Sequence, residues 1–195
     1  RVGCVNPDAD EAVGLALEVF DQAIARFGQP PMPHRIEHGG VVTAEQVNQA
    51  AALGVAIVTQ PGFMPELGVQ MRQAMGRRRE GLIHRHRSLL DAGGLAGGSS
   101  DRPVATGVPL EIIQSMVQRM DAEGQMVGPD ERVSVEQALW SYTVGSAQVT
   151  GSSHERGRLQ PGMLADYVVL DSDPLAVGVD DISAIGVNAT VIGGI

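Results

Sequence analysis

"HRIEHGGVVTAEQVNQAAALGVAIVTQP", residues 34–61, sets a short extended stretch, a helix and a second extended stretch one after the other. Residues 34–38 are bounded by Pro33 and by the Gly39-Gly40 pair, which reads as a strand entering a turn. Thr43 and Gln46 form a capping box for a helix that carries Val47, Ala50, Ala51 and Leu53 and stops at Gly54. Residues 55–61 are rich in β-branched side chains and close on Pro61. Strand, helix, strand in this order predicts two parallel strands joined by a crossover helix.

The same order recurs on both sides. Before it, "RVGCV" (1–5) reads as a strand, followed by a helix with Val13, Leu17, Phe20, Ile24 and Phe27 at helical spacing and Gly28 as the stop. After it, residues 62–81 hold five glycines and prolines and three methionines, a long connection with some helix in it. Residues 84–94 read as a helix ending in glycines, and "LAGGSSD" (95–101) as a fourth strand. Pro109 then opens an apolar helix with Leu110, Ile113, Met116, Val117 and Met120. Four strand-then-helix units predict an α/β fold with a parallel sheet, either open or part of a barrel.

The pattern changes after one more helix, residues 134–151, which opens on a Ser134/Gln137 capping box and ends on Gly151. A turn at Pro161-Gly162, a strand over 166–170 and a last strand over 189–195 read as the edge of a small β unit. The expected division is residues 1–156 and 157–195.

Composition narrows the chemistry. A formal net charge of -9 and a pI near 4.9 argue against nucleic-acid binding, which needs basic patches against phosphate. Arg77-Arg78-Arg79 is followed by Glu80 and reads as a solvated helix face. All 14 basic residues are arginine, so no Schiff base, P-loop lysine or carbamylated lysine can come from these residues. The single cysteine, Cys4, allows no intramolecular disulfide and is expected to pack in a buried strand, which favours a reducing compartment, the cytoplasm. No apolar run is long enough to predict a membrane span. The chain opens on strand-like residues at Arg1, as a piece whose natural start lies elsewhere would.

Reactive groups of parallel βα folds gather at the carboxyl ends of the strands. His38 ends the second strand and Asp101 the fourth. From spacing alone, His38 is either a turn histidine or a ligand for Zn²⁺ or a similar ion. Asp101 is either a cap for the loop that follows or a ligand or general base. His84-Arg85-His86 has the look of a His-x-His pair, but on a helix alternate residues diverge by about 200°. His34 is expected to face solvent, His154 lies in a polar loop, and Glu37 is expected to pair with Arg35 or the backbone.

Taken in order, "HRIEH" (34–38), "HRSLLDAG" (86–93), "GSSDRPV" (98–104), "PDERVSVEQALWSYTVGSA" (129–147) and "GRLQPGMLADYVVLDSDPLAV" (157–177) resemble the carboxyl-terminal half of amidohydrolase family 3. That group of metal-dependent hydrolases includes N-substituted formamide deformylases. The resemblance implies the C-terminal half of a TIM-like (β/α)8 barrel, four βα units, followed by part of a small β-sandwich. It implies His38 as a metal ligand, Asp101 as a metal ligand and as the catalytic residue that handles the proton of the hydrolytic water, and a divalent metal, zinc foremost. The reaction implied is hydrolysis of a non-peptide C–N bond in a small amide or cyclic amide. The family's strand-five histidine falls here on Val5 or Asn6, leaving Asn6 or Asp8 as oxygen substitutes. Its His-x-His strand and bridging residue would lie before Arg1. A half-barrel leaves two strand edges open, which predicts self-association or pairing with the missing N-terminal half. With so few ligands, a non-catalytic half-barrel without a complete metal site is the alternative to a hydrolase.

Overall fold

Two sheets organise the described residues. The computed structural model describes residues 9–195 and the backbone of the strand Cys4–Val5. Strands β1 (Cys4–Val5), β2 (Arg35–Glu37), β3 (Ala56–Thr59) and β4 (Ala96–Gly98) lie side by side in chain order, all parallel. The side chains of Cys4, Asn6 and Asp8, on which three expectations fall, lie outside the described residues.

The register explains the layering. Ile36, Ile57 and Ala96 are aligned across three strands and share one buried cluster with Val13, Leu17 and Phe20 of α1 (Asp10–Phe27), Val47 and Ala50 of α2 (Ala44–Leu53) and Leu89 of α4 (His86–Asp91). Side chains alternate along a strand, so Ala56 and Val58 face the opposite way, where they meet Val149. α2 begins at the expected capping box, with Thr43 Oγ1 accepting from the Gln46 N–H and Gln46 Oε1 from the Thr43 N–H. It ends at Gly54 in the left-handed conformation. In α1, Val13, Leu17 and Phe20 are buried as their spacing requires, and Ile24 is half-buried. Phe27, the last helical residue, is 77% exposed, with the Arg26 guanidinium over its ring.

The connection over 62–81 is more helical than its glycines and prolines suggest. α3 spans Phe63–Met75, since Pro65 falls in the first turn, where its missing N–H costs nothing, and Gly68 sits where an added Cβ would lie 2.8 Å from Asp121 Cβ. Arg77, Arg78 and Arg79 lie in the turn after that helix rather than on a helix face, and Arg79 pairs with Asp10 at 2.9 Å.

α5 (Pro109–Gln118) buries Leu110, Ile113, Met116 and Val117 as expected. The predicted final helix runs as α6 (Val135–Trp140), a π turn (Ser141–Gly145) and α7 (Ser146–Val149). The π turn lies against β4: Tyr142 covers Gly98, and Gly145 meets the Ala96 carbonyl, from which an added Cβ would stand 2.5 Å. Because that contact is backbone and cannot rotate away, Gly145→Ala is expected to cost about 3 kcal/mol. Urea unfolding checks it, and an unchanged midpoint would contradict the packing.

β5 (Tyr167–Leu170) and β6 (Val187–Val191) form an antiparallel pair with a bulge between Val169 and Leu170. Most of their side chains are exposed. A two-stranded ribbon is marginal alone; Leu170, Ile182 and Ile185 tie it to a cluster built on α5 and α6. Among the described residues no helix is long and apolar enough to cross a membrane.

Candidate functional site

His38 directly follows β2, and Asp101 lies three residues beyond β4. Both adopt the left-handed backbone region, with φ of 68° and 51°, which non-glycine residues enter only at a cost of about 1–3 kcal/mol. Gly39 follows with φ 51°, and a Cβ there would stand 2.6 Å from Ile57. The glycine pair thus serves the turn that swings His38 over the end of the sheet. There, His38 Nε2 stands 3.5 Å from Asp101 Oδ2. The imidazole is mostly shielded and the carboxylate is partly open to solvent.

That spacing can be tested against a metal. Two donors bound to one tetrahedral zinc at about 2.1 Å stand about 3.4 Å apart. The pair therefore fits two corners of such a site. Among the described residues no group of three or more His, Cys, Asp or Glu side chains is placed to hold an ion. His38 and Asp101 can thus supply two donors, and a complete set needs others.

Phe63, the first residue of α3, lies edge-on to His38 with ring centroids 5.9 Å apart, and equally edge-on to His84 at 5.9 Å. The expected helix over 84–94 starts at His86 instead, so His84 sits in the preceding loop with φ 42°. Its backbone N–H donates to the Gly40 carbonyl, and the segment runs antiparallel to the residues just after His38. Its ring is fully buried. Burial, then the Arg119 charge, push its pKa down to about 3. The His38 backbone, as a hydrogen-bonding neighbour of the ring, opposes that lowering without overcoming it. His86 is equally buried, with its pKa down to about 4 for the same two reasons, and its ring nitrogens meet Thr59 Oγ1 at 2.8 Å and Ser141 Oγ at 2.7 Å. The two histidines therefore have separate surroundings and do not form a metal pair.

Arg119 is the buried cation of this region. Its three guanidinium nitrogens donate to the carbonyls of Val127, His84 and Ile83 at 2.7, 3.0 and 2.7 Å, which fixes the loop carrying His84. Burial lowers its pKa to about 10. No local pattern marks Arg119 or Phe63, since their roles come from segments far apart in the chain. His34 corrects an expectation: it is buried, because its ring stacks on Phe20 of α1 with centroids 4.6 Å apart rather than facing solvent. Glu37 pairs with Arg35 as expected, accepting from its Nε at 2.7 Å. A cleft of about 560 Å³ opens between the α6–α7 helix and β5, lined by Tyr142, Ser146, Arg156 and Tyr167 among others and by neither His38 nor Asp101.

A sequence model of the amidohydrolase family matches residues 4–195, nearly the whole chain. The chain belongs to the amidohydrolase family. Among curated relatives, an N-substituted formamide deformylase of Arthrobacter pascens is 30% identical over 185 residues, 94% of this chain and 34% of that protein. Among solved structures, an uncharacterized metal-dependent hydrolase from Pyrococcus horikoshii superposes with a TM-score of 0.77 at 29% identity, covering 91% of this chain and 35% of that one. A counterpart from Pyrococcus furiosus gives 0.73 at 34% identity, covering 88% and 34%. This amidohydrolase chain thus spans about a third of the length of the relatives it matches.

Proposed function

We propose that the chain forms one wall of a metal-dependent hydrolase that cleaves non-peptide C–N bonds, in amides or cyclic amides of small molecules. The observation that carries this reading is the approach of His38 Nε2 and Asp101 Oδ2 to 3.5 Å at the ends of two strands of a parallel sheet. Family membership and the likeness to a formamide deformylase support the reaction class.

In this reading His38 and Asp101 hold a divalent ion, zinc being the ion that suits a neutral imidazole beside a carboxylate. When bound, such an ion supplies Lewis-acid polarisation of the scissile carbonyl. His38 contributes its Nε2, on a ring that meets Phe63 edge-on. Asp101, partly open to solvent, accepts a proton from the attacking water on a carboxylate oxygen and returns it to the departing nitrogen, releasing an acid and an amine. The four parallel strands would belong to a TIM-like (β/α)8 barrel, residues 1–156, and residues 157–195 to a composite β-sandwich. The outer edges of β1 and β4 would then pair with further strands, from another segment or another copy.

A second reading follows from the donor count: with no group of three donors among the described residues, the chain would be a non-catalytic member of the family. Incubation of the zinc-supplemented protein with N-substituted formamides and cyclic amides separates the two. Release of formate or amine that stops on chelation supports the hydrolase. Absence of turnover of every amide in the panel, with or without added zinc, supports the second reading.

A further inference from the structure

His86 is a fully buried imidazole with two partners, and their hydrogens can be assigned. The Ser141 hydroxyl has one hydrogen, which it donates to the Gln137 carbonyl at 2.8 Å. Its oxygen must therefore accept from His86 Nε2, 2.7 Å away, so that nitrogen carries the ring's proton. In a neutral ring Nδ1 is then bare, and the Thr59 hydroxyl donates to it at 2.8 Å. The chain Thr59 to His86 to Ser141 to Gln137 has a single polarity. All three side chains of this relay are buried, with His86 at 3% and Thr59 and Ser141 at 0% exposure. Burial also holds the ring neutral.

The relay joins two parts of the fold. Ser141 opens the π turn that lies on β4, and insertions of this kind recur at functional sites. Thr59 ends β3, and its carbonyl accepts the Ser99 N–H at 2.9 Å. Ser99 Oγ in turn accepts the Asp101 N–H at 3.4 Å. Asp101, in a left-handed conformation and with a partly exposed side chain, also accepts the Val104 N–H on its carbonyl at 2.8 Å.

We propose that His86, as the Nε2-protonated neutral tautomer between Thr59 and Ser141, is a positioning residue that sets the placement of Asp101 through Thr59 and Ser99. The importance of that placement rests on the proposed function; the placement itself does not.

Two substitutions divide the relay. Asparagine puts its Oδ1 near the place of Nδ1 and keeps the acceptor for Thr59, whereas glutamine puts its Nε2 near the place of the imidazole Nε2 and keeps the donor to Ser141. A histidine that merely fills space would suffer similarly from both. In the metal-free, ¹⁵N-labelled full chain, long-range ¹H–¹⁵N correlation at neutral pH is expected to show His86 with Nε2 protonated and Nδ1 bare; the opposite tautomer overturns the proposal. The Ser99 and Asp101 amide resonances are expected to shift in His86→Gln and to stay near their wild-type positions in His86→Asn. Amides that ignore His86→Gln, or shift equally in both variants, also overturn it. Zinc titration of the same proteins should give an affinity about tenfold lower in His86→Gln and within about threefold of wild type in His86→Asn. Should the wild type take up no zinc while the amide pattern holds, the metal reading fails and the role of His86 in placing Asp101 stands.

Discussion

Replacement of His38 by alanine is expected to abolish measurable zinc binding, with Asp101→Ala giving a loss of the same order, and His154→Ala leaving the affinity unchanged. The cause is geometric. His38 Nε2 and Asp101 Oδ2 are separated by 3.5 Å, the span of two ligands on one tetrahedral ion. Each is brought there by a backbone that is unfavourable on its own account. With only two donors identified, loss of either leaves a single contact, and at least a hundredfold loss in affinity follows. His154 is exposed in a loop and serves as the control. Calorimetric titration of the three variants beside the wild type checks the pattern; retention of binding in His38→Ala with loss in His154→Ala would reverse it.

The second large effect is acid lability. His84 and His86 have folded-state pKa values of about 3 and about 4, below the 6.5 of an exposed imidazole. As the pH falls below 6.5, the unfolded chain takes up protons at these two positions before the folded chain does, so stability declines. The decline continues until the folded rings protonate, near pH 4 for His86 and pH 3 for His84. Above pH 6.5 the two groups add no pH dependence. Well below pH 6.5 the slope approaches about 1.4 kcal/mol per pH unit for each ring, so the pair removes about 3 kcal/mol between pH 6.5 and pH 5. Carboxylates act mostly below this window. Urea midpoints at pH 7.5, 6.0 and 5.0 measure the slope. His84→Phe, which removes one of the two buried titrating rings, is expected to halve it. An unaltered slope would show that His84 is not held neutral by burial.

Much of this architecture is legible in the sequence because it is decided locally. Thr43 with Gln46 and Ser134 with Gln137 mark helix starts through bonds that span three residues, and both capping boxes form. The β-branched run before Pro61 and the glycine pair after His38 mark strand ends in the same way. Once four strands are parallel and in chain order, the ends of the second and fourth fall on one edge of the sheet, so His38 and Asp101 are nominated together.

What the sequence hides is decided at long range. Phe63 reaches His38 and His84 from another element. Arg119 finds its carbonyl partners at Ile83 and His84, 36 and 35 positions away. His34 turns inward because Phe20 offers a flat face 14 positions earlier. The π turn at Ser141–Gly145 leaves no local mark, since its cause is the fit of Tyr142 and Gly145 onto β4. The divergence of His84 and His86 is expected from a helix, whereas its cause is the loop at His84, which sends the two rings to different neighbours.

One ion is expected to be shared by His38 and Asp101. Anomalous diffraction at the zinc edge, from crystals of the chain grown with zinc, tests it most directly. A peak within about 2.1 Å of both His38 Nε2 and Asp101 Oδ2 is the predicted result. Density at other side chains, with none between these two, would contradict it.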